Sequence, residues 1–237
     1  MAFMSSLQLP PVHGNRPNIF LAIRLTDPSI HSNCADVQRQ IVSRFPRLKP
    51  GIIPQEKLHI TICPLVASPA KASKFNEALH SCIYQMARYY PVGHCPKIVL
   101  DGLGCFVDKS DEPRVIFGKV EQSEDTSRFL NCVKDIFSEL EAKEVLELGY
   151  STSEDYTPHM TIFKTTRLEE EVSFVNSVNR RGTVQSKLKS YLFDDLGFGT
   201  KFIGEQDVTS IDVLSMSELG QDGYYKVLGE LSFAAAA

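Results

Sequence analysis

The sequence predicts an α+β protein with mostly antiparallel sheets and helices on their outer faces. Short apolar or alternating runs of strand type are separated by three long stretches with apolar residues at four-residue spacing. These elements follow the order strand, helix, strand, helix, then strand, strand, helix, strand and a closing hairpin, which suits segregated layers. The 237 residues, 43% hydrophobic and 23% charged, resemble average globular chains. A chain of this length buries roughly 70% of the surface its unfolded form exposes.

The first strand is Ile19 to Leu25, an apolar run after Pro17. A helix follows from Asn33 to Phe45 with Val37, Ile41 and Phe45 on one face, and Pro46, Pro50, Gly51 and Pro54 mark a loop. Leu58 to Val66 is the second strand. Lys71 to Tyr89 is a helix carrying Phe75, Leu79, Ile83 and Met86, with Ser68-Pro69 at its start. Lys97 to Val107 and Arg114 to Val120 form a hairpin across the acidic turn Asp108 to Glu112; in the second of these strands Val115, Phe117 and Lys119 share one face. A third helix spans Glu124 to Leu146. Pro158 to Lys164 is a strand, Leu168 to Lys201 carries no clear pattern, and Val208 to Met216 and Tyr224 to Phe233 close the fold around Gly220 to Gly223.

Charge and cysteine usage narrow the function. The net charge of −4 comes without a basic stripe, which argues against a long nucleic acid held by its phosphates, because counterion release supplies most of that affinity. The six cysteines form no C-x-x-C pair and several sit in apolar runs, as expected for free, largely buried thiols in a reducing compartment. No signal peptide and no membrane span are expected, and the expected location is the cytoplasm, with the nucleus as the alternative. Residues 1–17 are read as a flexible N-terminus, 18–233 as a single domain and 234–237 as a tail.

Two matched triplets carry the chemistry, His59-Ile60-Thr61 and His159-Met160-Thr161, one on a strand in each half. Residues i and i+2 of a strand share a face. Leu58, Ile60 and Ile62 therefore turn to a core while His59 and Thr61 turn together to the other face, and Met160 and Ile162 oppose His159 and Thr161 in the same way. With six histidines, about 0.3 such triplets are expected by chance at average threonine usage. Two imidazoles near neutral pH can act as base and acid, and two hydroxyls can donate to a phosphate's oxygens where charge builds up.

Other features rank below these. Tyr224 and Tyr225 follow a turn and are candidates to stack on a base, with an ordinary cross-strand pair as the alternative. Phe163 shares the Thr161 face by alternation and is a candidate wall of the same pocket. No metal site is expected: His59 and Cys63 share a face but lie about 13 Å apart on a strand, and His13, His31, His80 and His94 show no ligand spacing. Gly197-Phe198-Gly199 reads as a loop, and Glu169 to Glu171 and Arg180-Arg181 as solvated charge.

The paired triplets resemble the signature of the two-histidine (2H) phosphoesterase superfamily. The likeness extends from about Asn18 to Phe233 and includes Ile19-Phe20-Leu21-Ala22-Ile23, Glu56 to Ile62, Gly102-Leu103-Gly104-Cys105-Phe106, and Tyr156-Thr157-Pro158-His159-Met160-Thr161-Ile162-Phe163. The tail Ile211 to Met216 followed by Asp222-Gly223-Tyr224-Tyr225 is similar to the central domain of A-kinase anchoring proteins and their relatives. The resemblance implies a bilobal, internally duplicated α+β fold with two mostly antiparallel sheets flanking a central cleft. It also implies His59 and His159 as the acid–base pair, either of them the base, and Thr61 and Thr161 as phosphate ligands. The implied activity is a metal- and cofactor-free phosphodiesterase on short oligonucleotides, with 2′,5′-oligoadenylate favoured and a 2′,3′-cyclic phosphate product. The alternatives are a phosphodiesterase for RNA 3′ ends or 2′,3′-cyclic nucleotides, and an AMP-binding module with little turnover. The expected partner is a short oligonucleotide or AMP-like nucleotide. No kinase-anchoring helix is seen, and a monomer is expected.

Overall fold

The computed structural model describes residues 8–12, 14, 16–107, 113–145, 156–164 and 197–233. Within them the chain runs β1 (Ile19–Arg24), α1 (Pro28–Arg44), β2 (His59–Leu65), α2 (Ala72–Tyr89), β3 (Lys97–Val107), β4 (Pro113–Val120), α3 (Glu124–Ala142), β5 (His159–Lys164), β6 (Phe202–Asp207), β7 (Ser210–Leu219) and β8 (Tyr225–Ser232). The Asp108–Glu112 turn, Glu169 to Glu171 and Arg180-Arg181 lie outside the described residues. None of the described helices is long and apolar enough to cross a membrane.

Helix ends follow local chemistry more closely than apolar spacing. α1 begins at Pro28 instead of Asn33, because Asp27 caps it: the Asp27 carboxylate accepts from the backbone N–H of Ser29 and Ile30, and proline supplies the pre-set first turn. α3 is capped by Ser123, which accepts from the Thr126 N–H, and Glu124 and Asp125 complement the positive end of the helix. α3 stops at Ala142, short of Leu146. Glu144 adopts φ 56°, and Val145 N–H reaches back 2.9 Å to the Leu140 carbonyl, closing the last turn.

The strands form an eight-stranded antiparallel sheet of order β6-β3-β4-β5-β2-β1-β7-β8. The two expected sheets are thus the halves of one, β2-β1-β7-β8 and β5-β4-β3-β6, joined by the registered pair Ile60–Met160. The halves share a plan: β1 and β2 are antiparallel neighbours joined through α1, and β4 and β5 are antiparallel neighbours joined through α3. β6 is the strand that patterning does not reveal. It is short and at the sheet edge, and its central Gly204 lies so close to α1 that a Cβ would come within 2.6 Å of Ile30.

Helices and sheet enclose one large apolar core that takes residues from both halves, among them Ile19, Leu21, Ile60, Phe75, Phe129, Ile136, Met160 and Ile162. The opposite face of the first half carries a small separate cluster of Phe20, Ala22, Leu214 and Tyr224. The six cysteines form no disulfide; Cys34, Cys63, Cys82 and Cys132 are buried, and burial pushes each up to about 12. Part of the N-terminal segment is tied to the sheet, since the Asn18 side chain donates to the carbonyls of Pro10 and Ala67 at 2.8 and 3.0 Å.

Candidate active site

β2 and β5 are adjacent and antiparallel, with Ile60 opposite Met160. One step either way along the ladder puts His59 level with Thr161 and Thr61 level with His159. Ile60 and Met160 are fully buried in the core, so all four polar side chains stand on the other face, and each is half-buried. In an ideal ladder each imidazole is then level with the threonine of the other motif, and the two histidines are diagonal neighbours about 7–8 Å apart.

Backbone carbonyls orient both rings. His59 Nδ1 lies 2.7 Å from the Lys57 carbonyl, and His159 Nδ1 lies 2.8 Å from that of Thr157. A carbonyl only accepts, so Nδ1–H donates in each ring, and the Nε2 lone pair is left as the basic nitrogen. His59 Nε2 accepts from the Thr61 hydroxyl at 3.1 Å. Burial is the largest cause pulling His59 down, to about 4, and the Lys164 and His159 charges lower it further against the raising effect of the Lys57 carbonyl. Burial also lowers His159, opposed by its bond to Thr157, with Lys164 lowering it further. Both rings are accordingly neutral in the empty site, and an anionic ligand is what would favour a proton on either.

Aromatic rings wall each histidine. Phe20 and Tyr225 lie 5.4 and 5.5 Å from His59, centroid to centroid. Phe106 and Phe117 lie 5.0 and 5.1 Å from His159. Phe20, Phe106 and Phe117 are not legible as site residues in the sequence. For Phe117 a signal existed, since its alternation with Lys119 puts both on one face, and the ladder sets them beside Thr161 and His159.

The three aromatic candidates from the sequence separate. Tyr225 is half-exposed and meets His59 edge-on, with the Lys57 ammonium 5.8 Å above its ring. Tyr224 is fully buried beneath the site in the small cluster with Phe20, and the Arg24 guanidinium covers it at 4.1 Å. Phe163 is a correction: it lies fully buried in the main core. The β4–β5 register jumps from Ile116–Phe163 to Phe117–Thr161, so Ile162 is an extra residue in β5 and the alternation resets. The bulge turns Phe163 inward and leaves Lys164 exposed, near enough for its charge to act on both histidines.

Tyr156 is a further residue that the motif pattern does not single out. Its hydroxyl donates to the Thr61 carbonyl at 3.2 Å, and its ring packs edge-on against Phe137 of α3 at 5.9 Å. The segment leading into the second motif thereby holds the backbone of the first. Among the described residues no group of three or more His, Cys, Asp or Glu is placed to hold a metal ion.

The sequence from residue 17 to 233 matches the family model described as the AKAP7 2'5' RNA ligase-like domain. No curated protein matches the chain significantly. Among solved structures, E. coli LigT with NADP+ is 14% identical with a TM-score of 0.51, over 92% of this chain and 98% of LigT. LigT in apo form is 15% identical with a TM-score of 0.50, over 92% and 97%. Kluyveromyces marxianus Usb1 with uridine monophosphate is 13% identical with a TM-score of 0.48, over 90% and 97%. The LigT likeness is one of fold. The family match, running from before β1 to beyond β8, places the chain in the AKAP7 2'5' RNA ligase-like domain family.

Proposed function

We propose that the protein is a metal-independent phosphodiesterase of short oligonucleotides, with 2′,5′-oligoadenylate the favoured substrate. The observation that carries this reading is the Ile60–Met160 pairing of β2 with β5, which sets both His-x-Thr motifs on one face, with both Nδ1 atoms tied to carbonyls and each Nε2 the basic nitrogen. LigT, whose fold the chain shares, is seen with a bound nucleotide, NADP+.

In the proposed reaction the scissile phosphate sits between the motifs and accepts from the Thr61 and Thr161 hydroxyls. The ribose 3′-hydroxyl attacks the 2′-linked phosphorus, and its proton passes to a histidine Nε2. The 3′-oxygen–phosphorus bond forms, the bond to the 5′-oxygen breaks, and the other histidine's Nε2–H protonates that oxygen. The products are a 2′,3′-cyclic phosphate and a free 5′-hydroxyl. The reading assigns the base to His59, held neutral by burial, and the acid to His159. The phosphate's negative charge raises the proton affinity of both rings, so the substrate supplies the field that the empty site lacks.

The test is incubation with 2′,5′-triadenylate and its 3′,5′ isomer in EDTA, with products read by mass spectrometry. Cleavage to a cyclic phosphate, faster for the 2′,5′ isomer, is expected, because a pocket shaped for one ribose pose penalises the other and about 1 Å of misplacement can cost 10²-fold. Equal kcat/KM for the isomers would refute the linkage preference. Loss of activity restored only by added metal would refute the mechanism.

A further inference from the structure

The cleft is nearly symmetrical in its histidines but not in its charge. Arg24 stands directly opposite His59 in the β1–β2 ladder, and Lys119 directly opposite His159 in the β4–β5 ladder. These are matching positions in the two halves. Arg24 is already engaged: it pairs with Asp222 at 2.5 Å and covers the Tyr224 ring at 4.1 Å. Lys119 is exposed and has no ion pair among the described residues.

The surroundings of Lys119 hold its arm along the sheet. Gly102 and Gly104 of β3 present bare backbone to it. A Cβ at Gly104 would come within 3.2 Å of Lys119 Cε and 2.7 Å of the Phe117 ring, and one at Gly102 within 3.7 Å of Lys119 Cδ. The glycines therefore clear the lane in which the lysine arm and Phe117 lie. Two residues beyond Gly104 on the same strand, Phe106 is 40% exposed although it stands edge-on to His159. Beside His59 the corresponding ring, Tyr225, is hemmed in by Phe20 and Lys57. An uncompensated ammonium and an open aromatic ring thus sit together on one side of the cleft.

We propose that the His159 side of the cleft is a second nucleotide subsite, in which Lys119 takes a phosphate other than the reacting one and Phe106 stacks the adjoining base. The ligand class is a nucleotide or oligonucleotide carrying at least two phosphates, bound in one direction. The direction follows because the cations on the His59 side are engaged, Arg24 by Asp222 and Lys57 over the Tyr225 ring. The inference rests on the nucleotide reading of the cleft given above and adds to it the polarity of the bound chain.

Calorimetric titration of adenosine 3′,5′-bisphosphate and adenosine 3′-monophosphate tests it without requiring turnover. The wild type should bind the bisphosphate about fivefold more tightly, the scale of one solvent-facing ion pair, and the preference should shrink in about 1 M salt. In Lys119→Met the ratio should fall to about one, whereas Lys134→Met, which removes an exposed charge from α3, should keep it. Phe106→Leu should weaken both ligands by at least about fivefold, the lower end of base–aromatic stacking. An unchanged ratio in Lys119→Met, an equal fall in Lys134→Met, or no binding of either ligand overturns the subsite. If the ratio behaves as expected and no oligonucleotide is cleaved, the catalytic reading fails while the subsite stands.

Discussion

Ile60 of β2 and Met160 of β5 face each other at the centre of the sheet, both fully buried, and their pairing joins its two halves. The backbone pairing at this point sets how far apart the two motifs stand on the other face, and the buried side chains anchor it in the core. Met160→Ala should cost about 2–5 kcal/mol of stability and also lower kcat at temperatures where the protein is fully folded. Leu140→Ala, equally buried but on α3, should cost similar stability and leave kcat near wild type. Equal kcat in the two variants would detach the seam from catalysis.

His59→Ala and His159→Ala should each reduce turnover by about 10²–10⁴-fold with little change in Tm, since both rings face the cleft. Their roles separate with a substrate whose leaving 5′-oxygen is replaced by sulfur, a group that needs no proton to depart. That substrate should restore much of the rate to His159→Ala and little to His59→Ala. The reverse pattern would exchange base and acid.

Stability should depend on pH through His59. Its folded value is depressed to about 4 from an ordinary 6.5, so the unfolded chain takes up the proton first as pH falls. The contribution is fully present above about pH 6.5 and is lost as pH drops towards 4. Tm should therefore decline across that window, and less so in His59→Asn. The His59 ring resonances should titrate near 4 in the empty protein and at higher pH with inorganic phosphate bound. A titration at the ordinary value in the empty protein would contradict burial as the dominant cause.

Tyr156→Phe removes the hydroxyl that holds the Thr61 carbonyl and keeps the ring against Phe137. The expected loss is about 0.5–1.5 kcal/mol of stability, with kcat falling several-fold while KM changes little. A change confined to Tm would make the bond purely structural.

The two adjacent tyrosines should behave differently. Tyr224→Ala empties a fully buried site and should destabilise the fold by about 3–5 kcal/mol, by analogy with other large aromatic truncations. Tyr225→Ala should leave Tm nearly unchanged and raise KM, because that ring lies beside His59. Thermal melts and steady-state kinetics on both variants decide the assignment.

What the chain determines by itself is local. Strand alternation is a property of the backbone, so His59 with Thr61 and His159 with Thr161 are paired on one face before any tertiary contact forms. The helix faces follow from the same kind of periodicity, and the Asp27-Pro28 start of α1 was present as a cap signal although apolar spacing alone overlooked it. Tertiary structure decided what no local period encodes. The Ile60–Met160 register brought the two motifs side by side on one face, and the bulge at Ile162 sent Phe163 to the core and Lys164 to solvent. Folding also separated Tyr224 from Tyr225, neighbours in the chain, one into a buried cluster and one against a histidine. The Asp222 carboxylate, nearly two hundred residues beyond Arg24 in sequence, neutralises that arginine while Lys119 stays open. Periodicity specifies which way a side chain points; only the pairing of distant strands specifies what it meets there.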